Sequence, residues 1–189
     1  FNDGTAWREF SLTSGTAITT PGDTEWDNVI YRNDFDTSLT DQRLVGAAAT
    51  TISSASLVTS PVKVGTKALR IQEGGYVQYR HRSEYEFSGE WTIEGWFFFD
   101  NLPAGSGNQM DPLISKQEGL GNNISDRWSL GASVISGAMY FYWYNQANSD
   151  HNSGDGTVLH SVTAASYSQT WFHIALVRNP DNGSIHFFL

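Results

Sequence analysis

Trp91-Thr92-Ile93-Glu94-Gly95-Trp96-Phe97-Phe98-Phe99 is the stretch on which the fold turns. Aromatic and β-branched side chains fill it, and these suit a pleated, packed strand. Successive strand side chains point to opposite faces. Trp91, Ile93, Gly95, Phe97 and Phe99 therefore share one face, and Thr92, Glu94, Trp96 and Phe98 the other. Both rows are largely apolar, which predicts a central strand covered on each side.

Outward from this strand the same vocabulary repeats. Leu113-Ile114-Ser115-Lys116, Arg127 to Val134 and Val158 to Val162 read as strands. Met139 to Tyr144 is almost wholly aromatic, and alternation gives Met139, Phe141 and Trp143 to the core. Tyr140, Tyr142 and Tyr144 then form a row on the opposite face. Trp171 to Arg178, Asn182-Gly183 and Ser184 to Leu189 read as a hairpin. With Asn182-Gly183 as a two-residue turn, Asn179 faces His186. Upstream, Ala68 to Gln72 and Tyr76 to Tyr79 flank Gly74-Gly75, a second hairpin signal, while Gly46 to Ser60 reads as a loop with a weak strand. Val29-Ile30-Tyr31 and Asp34-Phe35-Asp36 read as one strand or two. Residues 1–26 are Ser-, Thr- and Gly-rich beyond Phe10 and predict an extended arm. No stretch carries helical periodicity, so the class is all-β.

Composition narrows the function. The 189 residues suit one domain, here assigned to 27–189, plus the arm, and 39% of them are hydrophobic. The clustered Lys and Arg that phosphate backbones demand are absent from the sequence, and a net charge of −9 disfavours anionic membranes. There is no cysteine, and no apolar run approaches the roughly 18 residues of a membrane span. The chain begins at Phe1 and stops at Leu189 in what reads as mid-strand. The expectation is therefore a piece of a longer polypeptide, with the sandwich incomplete at its C-terminal end. The open edge of Ser184–Leu189 is expected to pair with further chain or a neighbouring subunit.

Several motifs together resemble one family. Trp91-Thr92-Ile93-Glu94-Gly95-Trp96 is similar to its "F-T-I-E-x-W" strand, and Trp171-Phe172-His173-Ile174-Ala175-Leu176-Val177-Arg178 to its "W-Y-H-V-A-V-V-R" strand. Gly65-Thr66-Lys67-Ala68-Leu69 and Gly75-Tyr76-Val77 resemble its opening strands. This is the laminin G-like, concanavalin A-like group, and the resemblance implies a two-sheet antiparallel jelly-roll sandwich over about Val29 to Leu189. Phe1-Asn2-Asp3-Gly4-Thr5-Ala6-Trp7 resembles a phrase of bacteriophage tail and fibre proteins, which implies an extracellular virion context.

Catalysis fares poorly on spacing. Glycoside hydrolysis needs two carboxylates about 5–9.5 Å apart. Glu94 is alone in its strand, and Asp100 lies six residues on, roughly 20 Å away at about 3.3 Å per residue. Glu84 and Glu86 precede the strand. No His or Cys spacing fits a zinc site. The family resemblance implies calcium at the sandwich rim. Asp150, Asn152 and Asp155 form a partial oxygen-ligand set in one Gly-rich loop, with Asp111 and Asp126 nearby, and the alternative is a solvated turn. The expectation is thus a non-enzymatic structural or adhesion module of a tail fibre, spike or capsid surface. It would form a homo-oligomer with other virion subunits and contact a host-surface glycan. Tyr140, Tyr142, Tyr144 and Asn145 are the candidate contact residues. The alternatives are a secreted bacterial carbohydrate-binding or adhesion domain, and an accessory domain of a glycoside hydrolase. Neither nucleic acid nor membrane insertion is expected.

Overall fold

The computed structural model describes residues 31–40, 49–82, 85, 89–103, 111–116, 127–146, 157–179 and 181–189. The chain divides into two compact units, Phe1–Arg80 and His81–Leu189. The expected arm, with Phe1, Trp7 and Phe10, lies outside the described residues, as do Val29 and Ile30.

In the first unit β1 (Ala49–Val58) pairs antiparallel with β2 (Ala68–Tyr79). Two sequence expectations give way here. The Gly46–Ser60 region, read as a loop with a weak strand, holds a full strand of ten residues. Gly74-Gly75 does not turn a hairpin, because the runs on either side of it pair with the same partner. Val77 and Tyr76 face Ile52 and Ser53, and Ile71 and Ala68 face Ala55 and Val58. Gln72 to Gly75 bulge out opposite Ser54 instead. A Cβ on Gly75 would sit 2.7 Å from the Ser54 carbonyl oxygen, so only glycine permits this backbone approach. Tyr31 to Thr40 forms no strand. Asn33 Oδ1 accepts the Phe35 amide at 2.8 Å and Asp34 Oδ1 accepts the Asp36 amide at 3.0 Å, and these side-chain turns replace a ladder. The Asp36 carboxylate then caps the turn before β2. Its Oδ1 accepts the Thr66 amide at 2.6 Å, the Lys67 amide at 3.0 Å and the Thr66 hydroxyl at 3.3 Å.

Among the described residues the second unit holds seven strands in two antiparallel sheets. One sheet has the order β3 (Trp91–Phe98), β8 (Trp171–Arg178), β9 (Ile185–Phe188). The other is a meander of β4 (Asp111–Lys116), β5 (Arg127–Ile135), β6 (Ala138–Gln146) and β7 (Thr157–Thr163). Ser136 and Gly137 join β5 to β6, both with positive φ (52° and 83°), which is the two-residue turn that matches strand twist. The two sheets meet through one apolar core. Ile93, Phe172, Ile174 and Leu176 come from the first sheet, and Trp128, Leu130, Ala132, Met139, Phe141 and Trp143 from the second. Phe172 is the hub. Its ring lies 6.0 Å from Phe141, 5.3 Å from Phe99 and 5.3 Å from Tyr167, the last in a single 3-10 turn (Ala164–Tyr167). Fully burying side chains of this size contributes about 1.5–3 kcal/mol each.

β3 is not the doubly covered central strand its sequence predicts. Among the described residues it pairs only with β8, at one edge of its sheet, and Thr92, Glu94 and Trp96 are exposed. A carboxylate in mid-strand was the sign, since a lone Glu is almost never fully buried. The β8–β9 hairpin forms, but with a longer turn. Arg178 faces Ile185 and Val177 faces His186, two positions away from the expected register. The Gly183 amide donates to the Asn179 carbonyl at 3.0 Å with Gly183 at φ +68°, so the loop closes from Asn179 rather than at Asn182-Gly183 alone.

Candidate functional site

Two outward sheet faces carry the chemistry of the second unit. On the four-stranded sheet, β6 alternates as its sequence predicts. Met139 and Phe141 have no exposed surface and Trp143 is buried, while Tyr140, Tyr142 and Tyr144 are half-buried on the other face. The Tyr140 and Tyr142 rings lie 6.2 Å apart. Their neighbours on β5 explain how they sit. Tyr140, Tyr142 and Tyr144 face Ser133, Gly131 and Ser129. Small residues there leave room for rings to lie across the strand, and Ser129 and Ser133 are buried although they point away from the core. The Tyr142 and Ser133 hydroxyls are 3.5 Å apart, at the limit of a hydrogen bond. The row is thus packed on its own sheet while keeping its outer surface in solvent. Asn145 continues the strand opposite Trp128.

On the three-stranded sheet the outer face is built in rows fixed by register. Phe98 stands beside Trp171, Trp96 beside His173, Glu94 beside Ala175 and Phe188, and Thr92 beside Val177 and His186. Ring centroids are 5.4 Å apart in the first row and 5.0 Å in the second. His173 Nε2 lies 3.8 Å from Glu94 Oε2. Trp96 is 45% exposed and Phe188 53%. The sequence showed the β3 half of this face, but reading β3 as covered on both sides hid its role. The β8 half, Trp171, His173, Ala175 and Val177, is legible only through its pairing with β3.

The other expected site residues are not brought into view. Asp150, Asn152, Asp155 and Asp126 lie outside the described residues, as do Glu84 and Glu86. Asp111 is the exposed first residue of β4. Among the described residues no group of three His, Asp or Glu side chains is placed to hold a metal ion. The acidity of Asp36 is perturbed. The Thr66 and Lys67 amides hold its carboxyl below the usual carboxylate range. That carboxylate stitches the first unit together and presents no reactive partner.

No protein family, curated protein or solved structure matches this chain. Function therefore has to be read from the two faces.

Proposed function

We propose that this chain is a non-catalytic adhesion module of a virion surface, of the laminin G-like jelly-roll kind, assembling with like subunits and holding a host-surface glycan. The observation that carries the reading is the tyrosine row of β6. Core packing needs only the Met139 face, yet the opposite face holds three tyrosines on a floor of Ser129, Gly131 and Ser133. Tyrosine suits a contact between subunits because its ring buries area while its hydroxyl stays hydrogen-bonded. Tyr140, Tyr142, Tyr144 and Asn145 would form that contact. Glu94 is the only carboxylate of β3, so that strand carries no pair of acids to flank one glycosidic bond, which favours a non-catalytic role. Calcium held by Asp150, Asn152 and Asp155 would fit the same reading as a rim-stabilising ion.

Sedimentation velocity on the full chain tests the proposal. The wild type is expected to self-associate, and Tyr142→Ala to sediment as a monomer with its thermal unfolding little changed. A wild type that stays monomeric, or a Tyr142→Ala chain that associates normally but unfolds far more easily, overturns it.

A further inference from the structure

At one end of the outer face of the three-stranded sheet, the rows run into a depression of about 390 Å³. Glu90, Arg178, Asn179, Asp181, His186 and Phe188 line it, over a floor at Val177. This combination is what a sugar ring requires. An exposed aromatic ring offers a flat apolar surface to the C–H face of a pyranose, and the ring's hydroxyls need donors and acceptors around its rim. Phe188 supplies the flat surface. The Glu90 and Asp181 carboxylates accept.

Local bonds hold the remaining groups in place. The Arg178 Nη1 donates to the Gly89 carbonyl, which leaves other N–H groups of a five-donor guanidinium for a ligand. Asn179 Oδ1 accepts the Asp181 amide at 2.8 Å, so its NH₂ group keeps its donors. The His186 ring nitrogen Nε2 is fixed 3.0 Å from Ser184 Oγ. Groups fixed before binding lose little freedom when a ligand arrives.

Charge selects among sugars. The depression sets two carboxylates against one guanidinium, Glu94 stands in the adjoining row, and the chain carries a net charge of −9. Such a field repels uronic, sialylated and sulfated chains and leaves uncharged glycans as the complementary ligand. Geometry also gives a direction. From the Ala175–Phe188 row to the Trp96–His173 row is two residues of β8, about 7 Å at about 3.3 Å per residue. Small Ala175 stands beside Phe188 in its own row and leaves the way to the Trp96–His173 pair low.

We infer that the depression at Phe188 binds the terminal ring of an uncharged glycan and that Trp96 and His173 receive a further ring of the same chain. The inference rests on the adhesion reading above and adds to it the place and class of the ligand. The test begins with an array of neutral, sialylated, sulfated and uronic oligosaccharides probed with the full chain. The best neutral oligosaccharide and its terminal monosaccharide are then titrated calorimetrically. Phe188→Ala and Asp181→Asn should each weaken both ligands by about tenfold or more, a loss of about 1.4 kcal/mol. Trp96→Ala should weaken only the oligosaccharide. Unaltered circular dichroism and melting would show that each variant is folded. A preference for anionic chains, release of new reducing ends, or full binding by Phe188→Ala and Asp181→Asn overturns the inference while glycan binding itself stands. A wild type that binds no glycan in the array overturns the glycan-holding part of the adhesion reading as well.

Discussion

Replacing Phe141 with alanine removes the ring through which the two sheets of the second unit meet. Phe141 has no exposed surface, and its ring lies 6.0 Å from Phe172 on β8 and 5.2 Å from Phe187 on β9. Its own strand belongs to the opposite sheet. A buried Phe→Ala change costs about 3–5 kcal/mol, the sum of lost transfer energy and the cavity left behind. Tyr142 is the next residue but one face away, half-buried over Gly131, and its truncation leaves no cavity between the sheets. Its cost should be about 1 kcal/mol, typical of a single substitution outside the core. The assay is urea unfolding followed by tryptophan fluorescence, since Trp91, Trp96, Trp128, Trp143 and Trp171 all fall in this unit. A double-mutant cycle with Phe172→Ala should add a coupling of about 0.5–1.5 kcal/mol for the edge-to-face ring pair. Equal losses for Phe141→Ala and Tyr142→Ala, or no coupling to Phe172, would refute the assignment of β6's faces and the meeting of the sheets at Phe141.

Three further outcomes follow from particular contacts. Gly75→Ala should destabilise the β1–β2 pair markedly, since its Cβ meets three backbone carbonyl oxygens, whereas Gly89→Ala, with open space around it, should lose only what its positive φ imposes; amide exchange across β1 and β2 reads the difference. Asp36 has a folded-state pKa below its unfolded value, so its stabilisation is complete above about pH 4 and is lost as pH falls through the lower folded value. The stability gap between wild type and Asp36→Asn should therefore narrow in acid, and a gap independent of pH between 7 and 2 would contradict the capping role. Millimolar calcium should raise the melting temperature by mass action, and Asp155→Ala should abolish the rise; a folded sample indifferent to calcium removes the ion from the proposal.

What the sequence made legible, and what it hid, follows from where each signal resides. The β6 strand and the β8–β9 hairpin are written in local alternation, and so are visible without a structure. The strand β1, Ala-Thr-Thr-Ile-Ser-Ser-Ala-Ser-Leu-Val, has few large apolar residues, and only its pairing with β2 makes it a strand. Gly74-Gly75 carried the composition of a turn, but the decision between turn and bulge rests with Ser53 and Ser54, some twenty residues upstream. The aromatic outer face of β3 was visible, and Glu94 was the one sign of its exposure, outweighed because Trp and Phe read alike whether a second layer covers them or water does. The depression at Phe188 depends on a hairpin register two positions away from the one the turn residues imply, so no sequence reading of that loop would have assembled Glu90, Asp181 and His186.

Hydroxyl-radical footprinting of the full-length protein, assembled and dissociated, tests most directly whether β6 has a core face and a contact face. In the dissociated chain Tyr140, Tyr142 and Tyr144 should be oxidised while Met139, intrinsically among the most reactive of side chains but wholly buried, is spared. On assembly the three tyrosines should become protected and Met139 stay unmodified. Oxidation of Met139 in the folded chain, or tyrosines labelled equally in both states, would contradict it.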